Sequence, residues 1–290
     1  MGILQKNHGK NMKLARLLAL PALAALAVIG MSQKSRAALV ASDNAGSYTS
    51  WTNGSTGGSG FGTWSLSATS SNAGFFLGSS TVNDNGNALP VGDTGDIDTS
   101  SQAWGMYANS GSVATATRSF TGSALAVGQS FSLAFDNGYL PVGSSDTFSL
   151  LNSSGSALFQ FGFAGGANDY FYNDSTSTGA DTGIGFTYFG LNTLFTLTSA
   201  TAYSLTITPI DSSLAAKTIS GTINGSITGF QAVNDNAGNG DGRNFYINSV
   251  AVSAAPNSAV PLPASLGFVL AGGLGLAVMA LSRRRSRMQA

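Results

Sequence analysis

The feature that most constrains the fold of this chain is a two-residue alternation of apolar side chains between residues 38 and 258. Successive side chains of a β-strand point to opposite faces, so this period is typical of strands that bury one face. Gly, Asn, Asp and Ser separate the alternating runs, and no run keeps a helical period with good helix formers. The clearest runs place their apolar residues at Phe131, Leu133 and Phe135, at Phe159, Phe161 and Phe163, and at Tyr203, Leu205 and Ile207.

About a dozen strands at short spacing predict an all-β domain over residues 38–253, a two-sheet antiparallel β-sandwich of the jelly-roll type. Ser and Thr at the alternate positions supply the solvent-facing surface, and Phe supplies the core, where Trp64 and Trp104 are also expected. A domain of about 220 residues buries roughly 70% of its unfolded surface, so it needs no disulfide. Segments 45–60 and 83–101 lack the alternation and are predicted to be long surface loops.

Charge is distributed unevenly along the chain. Ten of the 13 basic residues lie in the first 36 or the last eight positions, whereas residues 38–258 hold all 13 acidic residues, every one an Asp, and have a net charge of −10. This region contains no His, Cys or Glu. Cysteine nucleophiles, disulfides, His- or Cys-ligated metals and Ser-His-Asp triads are therefore excluded from it, and no nucleic-acid partner is expected. Arg118 and Arg243, rare cations in an acidic domain, are each expected to pair with an Asp; anion or uronate binding is the alternative.

Residues 1–37 have the features of a secretory signal peptide, predicted to be helical. Four basic residues between positions 6 and 16 precede an apolar stretch, 17–29, that is too short to span a bilayer comfortably. Small side chains at Ser35 and Ala37 predict that signal peptidase cuts between Ala37 and Ala38. An uncleaved membrane anchor is the alternative.

The C-terminal region has a linker, 254–259, followed by a three-part tail, 260–287. A proline-containing motif, 260–265, is extended because proline fixes φ and keeps its predecessor out of a helix. The apolar stretch 266–282 is predicted to be a transmembrane helix, since with the motif it approaches the roughly 20 residues needed to cross a membrane. A basic cluster then keeps the end of the chain cytoplasmic and the domain outside, namely Arg283, Arg284, Arg285 and Arg287.

This tail resembles the PEP-CTERM sorting signal of Gram-negative bacteria. Val260, Pro261 and Pro263 match the family's Val-Pro-Glu-Pro motif, and Leu262 stands at the Glu position, as in the Val-Pro-Leu-Pro variant. The resemblance implies recognition by an exosortase, a membrane-embedded cysteine protease, which cuts near the motif and releases the domain. Such substrates are associated with exopolysaccharide production and with biofilm or floc formation. The alternative is an ordinary single-pass anchor that is not cut.

Segments 104–109, 131–139 and 148–152 resemble, in pattern and order, the concanavalin A-like or laminin-G-like sandwiches attached to many PEP-CTERM proteins. The resemblance implies a jelly-roll scaffold that serves glycan binding, adhesion and glycoside hydrolysis alike. The fold by itself does not choose among these functions.

Calcium is the one cofactor that the sequence leaves open. Hard cations take six to eight oxygen ligands, and two Asp-rich loops offer carboxylates beside Asn and backbone carbonyls. The candidate ligands are Asp93, Asp96 and Asp98 in one loop and Asp235 and Asp241 in the other. Neither loop has the spacing of an EF-hand, and Asp chosen for its local turn hydrogen bonds is the alternative explanation.

Sugar binding would require exposed aromatic side chains as stacking platforms. The main candidates are Trp51, Tyr139, Tyr170 and Tyr172, and Tyr188 is a further one; all lie in or near loop-like segments. Tyr170 and Tyr172, two positions apart, would share one face of a strand. They could form an edge platform or simply a cross-strand aromatic pair.

The sequence therefore predicts a non-enzymatic exported protein. It would be held at the inner membrane by its tail, then placed at the cell surface or in the extracellular matrix. The expected role is structural or adhesive, in contact with exopolysaccharide. Two alternatives remain: a calcium-dependent glycan-binding module, and a glycoside hydrolase using an Asp pair such as Asp96 and Asp98, which the absence of Glu disfavours.

Overall fold

The computed structural model describes residues 39–91, 93 and 96–255. Within them the chain forms fifteen strands and three short 3₁₀ helices. The strands are β1 (Leu39–Asp43), β2 (Ser65–Ala68), β3 (Ala73–Gly78), β4 (Ala103–Ala108), β5 (Val113–Ser119), β6 (Ser130–Asn137), β7 (Ser145–Leu151), β8 (Ala157–Ala164), β9 (Asp169–Asn173), β10 (Ala180–Gly185), β11 (Leu191–Leu197), β12 (Ala202–Pro209), β13 (Lys217–Thr222), β14 (Gly229–Asp235) and β15 (Phe245–Ser253). The 3₁₀ helices are η1 (Ala45–Ser47), η2 (Ser80–Asp84) and η3 (Asp241–Arg243).

The strands form two antiparallel sheets that pack into a sandwich. The eight-stranded sheet has the order β13-β12-β11-β6-β15-β4-β3, and β1 also pairs with β15. The seven-stranded sheet has the order β10-β9-β8-β7-β14-β5-β2. The predicted fold class, a two-sheet antiparallel β-sandwich, is confirmed.

The two-residue alternation in the sequence places the core between the sheets. On β6, Phe131, Leu133 and Phe135 are buried, and β11 pairs with them in register, so that Phe195 lies opposite Phe131. Across the interface, Phe148 of β7 lies 6.4 Å from Phe131 and 6.3 Å from Phe135, measured between ring centroids. Such aromatic pairs add about 0.5–1.5 kcal/mol each beyond their buried area.

A second aromatic cluster closes the core near β2 and β4. Trp64 and Trp104, as predicted, are buried, and their rings meet edge-on at 5.1 Å. The Trp51 ring packs edge-on against Trp64 at 5.2 Å and against Phe75 at 5.3 Å. Segment 45–60, predicted to be a surface loop, therefore inserts a large side chain into the core.

Arg118 and Asp43 form a buried ion pair that joins β5 to β1, as expected for Arg118. The guanidinium also donates to the carbonyls of Gly62 (2.6 Å) and Gly57 (2.8 Å), and it lies over the ring of Trp64 at 5.1 Å. The expectation for Arg243 was wrong. Its guanidinium donates to the Ala237 carbonyl at 3.2 Å and lies 5.3 Å from the Tyr139 ring centroid, and no Asp within the described residues forms an ion pair with it.

The described part of the second predicted loop, 83–91, 93 and 96–101, contacts the outward face of the eight-stranded sheet. Its Asn83 and Ile97 are buried, and Ile97 packs with Ala134 and Tyr246 against that face. This layer makes the outward face of the sheet partly an interior surface, which is where the candidate site forms.

Several sequence predictions fall on residues that the structure does not describe. These are the signal peptide with its cleavage bond, the sorting motif, the transmembrane stretch and the terminal Arg cluster, all outside the described residues. In the part of the chain that is described, no helix is long and apolar enough to cross a membrane.

Candidate functional site: an aromatic cleft beside an acidic cluster

A cleft of about 530 Å³ opens on the outward face of the eight-stranded sheet, beside β3, β4 and β15. The rings of three aromatic residues form its floor, and η2 and η3 contribute its walls. It is lined by Phe76, Leu77, Gly78, Ser79, Val82, Tyr107, Asn109, Gly240, Asp241, Asn244 and Tyr246.

The aromatic floor depends on a glycine in the neighbouring strand. Phe76 of β3 pairs with Gly105 of β4, and a Cβ at position 105 would lie only 2.5 Å from the Phe76 ring. The ring can therefore lie flat against the sheet only because residue 105 has no side chain. Tyr246 meets the Phe76 ring edge-on at 5.7 Å, and Tyr107 lies tilted to it at 6.4 Å.

The rim of the cleft supplies polar groups around this floor. Asn244 lies with its Nδ2 3.5 Å from the hydroxyl of Tyr246, and Asp241 and Asn109 add a carboxylate and an amide. Burial raises the pKa of Tyr246 to about 12. A tyrosine hydroxyl is protonated at neutral pH, so this group can donate a hydrogen bond. An apolar floor with a few directional polar groups is the usual composition of a small-molecule or sugar site.

Next to the cleft, beneath η2, lies a group of side chains that we call the acidic cluster: Asp84, Asp96, Asp98 and Asp136, together with Ser80 and Asn83. Asp136 is on the outward face of β6, because its neighbours Phe135 and Asn137 point into the sandwich. Asn83 Nδ2 donates to Asp136 Oδ1 (3.0 Å) and to the carbonyl of Asn244 (3.1 Å). The cluster and the cleft are thus joined through η2 and Asn244.

The electrostatics of the acidic cluster are those of crowded, partly dehydrated carboxylates. Burial, reinforced by the charges of Asp96 and Asp98, raises the pKa of Asp84 to about 6. Burial also raises the pKa of Asp136 well above the usual range, against the lowering effect of the Asn83 hydrogen bond. The described basic side chains lie elsewhere, since Lys217 approaches Gly183 and the two arginines are engaged as described above.

The structure divides the five predicted calcium ligands among different places. Asp96 and Asp98 do meet, because Ser80 Oγ lies 2.8 Å from Asp96 Oδ1 and 3.0 Å from Asp98 Oδ1. Asp93 instead accepts a hydrogen bond from the Ser212 amide at 2.8 Å. Asp241 lines the cleft, and Asp235 ends β14. No three acidic side chains in the described residues are already arranged as a metal-ligand set.

The aromatic residues predicted as glycan contacts differ in exposure. Trp51 and Tyr170 are 3% and 0% exposed, so neither is an available platform, because each is packed into the aromatic core. Tyr172 is half-buried against the same core. Tyr139 is 57% exposed and borders a smaller depression of about 250 Å³ with Phe186 and Tyr188.

The sequence prediction missed Phe76, Tyr107 and Tyr246, which form the floor of the cleft. It also missed Asp84 and Asp136 of the acidic cluster. A usable signal was a glycine within a strand pattern, Gly105, since it marks a place where another group approaches the backbone closely. Which aromatic ring would lie there depends on strand pairing.

A further polar pair lies inside the sandwich. Asp146 of β7 and Asn234 of β14 are paired across the sheet and are both fully buried. Both carboxylate oxygens of Asp146 and the Oδ1 of Asn234 lack a hydrogen-bond partner in the protein. Burial raises the pKa of Asp146 well above the usual range, with Asp136 and Asp235 adding to the effect.

Comparison with known proteins gives only distant likenesses. No family model and no curated protein matches this sequence. Among solved structures, a sialidase matches 76% of this chain at 10% identity and a TM-score of 0.43, and the match covers 19% of the sialidase. The VIP36 exoplasmic/lumenal domain, in its Ca²⁺-bound form, is 10% identical with a TM-score of 0.34. The match covers 51% of this chain and 76% of the VIP36 domain.

A family 11 carbohydrate-binding module from Clostridium thermocellum, in complex with a β-1,3-1,4-mixed-linked tetrasaccharide, is also similar. The match covers 74% of this chain and 97% of the module, at 9% identity and a TM-score of 0.29. These scores indicate a loose likeness.

Proposed function

We propose that this domain is a non-enzymatic carbohydrate-binding module of the cell exterior, which holds a neutral polysaccharide in the cleft. The observation that carries the proposal is the floor of the cleft: the half-buried rings of Phe76 and Tyr107 line a concave surface beside the buried ring of Tyr246, and amide and carboxylate groups border it. A sugar ring has an apolar C–H face and a rim of hydroxyls. An aromatic floor with a polar rim complements both parts.

Two features favour binding over hydrolysis. A glycosidase needs two carboxylates flanking the scissile bond, about 5–10 Å apart. Of the described residues that line the cleft, only Asp241 carries a carboxylate. The acidic composition of the domain also favours a neutral glycan over a uronic acid polymer, because like charges repel.

We test the binding site with polysaccharides on an array and with isothermal titration of those that bind. Tyr107→Ala should weaken binding at least tenfold, since it removes a stacking surface from the floor while leaving the buried Tyr246 in place. Tyr139→Ala is the matched control, because Tyr139 is an exposed tyrosine outside the cleft. Binding that survives Tyr107→Ala and is lost with Tyr139→Ala would move the site to the smaller depression and contradict the proposal.

We further propose that the chain is exported and cut by an exosortase at its tail, where residues 260–263 resemble the sorting motif. A surface location fits an acidic, cysteine-free module with a polysaccharide ligand. The test is the intact mass of the protein isolated from its native envelope or culture fluid. A mass that ends near Pro263 supports processing, whereas retention of Arg283 through Arg287 would mean an uncut anchor.

A further inference from the structure

Three buried oxygens of the acidic cluster have no hydrogen-bond partner in the protein. They are Oδ2 of Asp136, Oδ1 of Asn83 and Oδ1 of Asp84. Asp136 is fully buried and Asn83 is 1% exposed, so bulk water does not replace the missing donors. Leaving a buried acceptor unsatisfied is unfavourable, most of all for a charged group, and native proteins seldom do so.

The orientation of Asn83 follows from its contacts. Both groups within reach of Nδ2, the Asp136 carboxylate and the Asn244 carbonyl, are acceptors, so the amide nitrogen must face them. Its carbonyl oxygen then has no donor, although it is attached to the same side chain that binds Asp136. One oxygen of the Asp136 carboxylate, Oδ2, and the amide carbonyl oxygen of Asn83 therefore remain without donors beneath η2.

The surroundings of these oxygens attract a cation. Asp84, Asp96 and Asp98 act on one another and on Asp136 as like charges, which burial strengthens. Every ligand type present is a hard oxygen: carboxylate, amide carbonyl and the Ser80 hydroxyl. This set suits Ca²⁺, which accepts six to eight such oxygens in variable geometry, better than Mg²⁺, which requires a strict octahedron and keeps its water.

We propose that the acidic cluster is a calcium site, with Asp136 and Asn83 as its buried ligands and the half-buried Asp96 and Asp98 as its further carboxylates. Because three carboxylates do not yet converge on one point, binding would exchange the Ser80 contacts of Asp96 and Asp98 for contacts with the ion. Calcium would thereby fix η2, whose Val82 lines the cleft and whose Asn83 holds Asn244. This last step, control of the cleft by calcium, rests on the proposed carbohydrate binding.

The site is tested first without any polysaccharide. The purified full-length chain is stripped with a chelator and titrated with calcium chloride or magnesium chloride, using calorimetry and thermal unfolding. We expect a calcium Kd of about 10⁻⁴–10⁻³ M, as in extracellular modules, and a rise in Tm of about 3–6 °C at ten times that concentration. No heat and no Tm shift up to about 10 mM calcium would overturn the proposal.

Variants then locate the site. Asp136→Asn and the less buried Asp98→Asn should each weaken calcium binding at least tenfold, and Asp98→Asn keeps the test valid if the core variant folds poorly. Asp146→Asn is the matched control, since it changes an equally buried Asp outside the cluster. A calcium-dependent Tm shift that survives both cluster variants, or that is lost with Asp146→Asn alone, would overturn the assignment.

Polysaccharide affinity is measured last, in calcium and in chelator. If chelator weakens polysaccharide affinity at least threefold in the unmodified protein but not in Asp98→Asn, calcium controls the cleft. Equal affinity in both buffers refutes that control while leaving the metal site to the first titration. Absence of polysaccharide binding in both buffers would refute the proposed function and not the calcium site.

Discussion

Replacing Arg118 with Met removes the positive charge from a pocket that holds Asp43 away from water. Both side chains are fully buried. Without the guanidinium, Asp43 keeps the hydroxyl of Tyr48 and the Asn44 amide as donors but loses its counter-charge. The carbonyls of Gly57 and Gly62 also lose their donors.

Breaking a buried ion pair by removing one partner costs about 3–5 kcal/mol. For a domain of this size each kcal/mol lowers Tm by about 2–4 °C, so we expect a decrease of about 6–20 °C. Unfolding is followed by tryptophan fluorescence. Because the Arg118 guanidinium lies over the Trp64 ring, its removal should also change the emission of Trp64 in the folded protein. Urea titration gives the free energy of unfolding independently.

Two further variants make the reasoning refutable. Arg243→Met, which removes a half-buried arginine without an ion pair in the described residues, should change the free energy of unfolding by less than about 1 kcal/mol. The double variant Arg118→Met/Asp43→Leu removes both charges. It should recover at least half of the free energy of unfolding that Arg118→Met alone loses. The buried-pair argument would be refuted if Arg118→Met lowered the free energy of unfolding by less than about 1 kcal/mol. It would also be refuted if the double variant were no more stable than Arg118→Met.

Three further predictions concern pH, an interior carboxylate and a crowded glycine. In chelator, Tm should rise as pH falls from 7 to about 5, because the pKa of Asp84 is about 6 in the folded state and about 4 when unfolded, so the folded state binds the extra proton. At pH 7, Asp146→Asn should stabilise the domain by about 1 kcal/mol, since it replaces a buried ionisable carboxyl without hydrogen-bond partners by an amide that offers a donor to Asn234 Oδ1. Gly165→Ala should destabilise it by about 1–3 kcal/mol, because the new Cβ would lie 1.8 Å from the Pro141 carbonyl oxygen.

Each of these predictions has its own check. A flat or falling Tm between pH 7 and 5 in chelator would contradict the raised carboxylate pKa values. A lower free energy of unfolding at pH 7 for Asp146→Asn would contradict the view that this carboxyl is buried without a partner. Gly122→Ala, where no atom lies within 4 Å of the added Cβ, is the control for Gly165→Ala and should leave Tm unchanged within about 2 °C.

The strands were the most predictable part of this protein. On β6, β8 and β12 the apolar residues named from the alternation are all buried, because a period of two is a local property of neighbouring residues. Trp64 and Trp104 were placed in the core for the same reason. Trp51 was not, because it lies in a Gly- and Ser-rich segment whose burial comes from contacts with distant rings.

The candidate site was predictable only in fragments. Asp96 and Asp98 were paired from their spacing, but Asp136 lies some forty residues further along the chain, and only the folded structure brings it close enough to bind Asn83 and to feel their charges. Likewise Phe76 and Gly105 come together through the register of β3 and β4. Their separation in sequence gives no sign of the contact.

By itself, the sequence determined the all-β class, the strand faces and the exclusion of histidine and cysteine chemistry from residues 38–258, because these depend on residue type and short-range period. The tertiary structure decided that the outward face of one sheet carries an aromatic cleft and that buried carboxylates gather beside it. The physical reason is that side chains far apart in sequence come together only when strand register and loop packing are fixed, and the desolvation that perturbs them arises only from that packing.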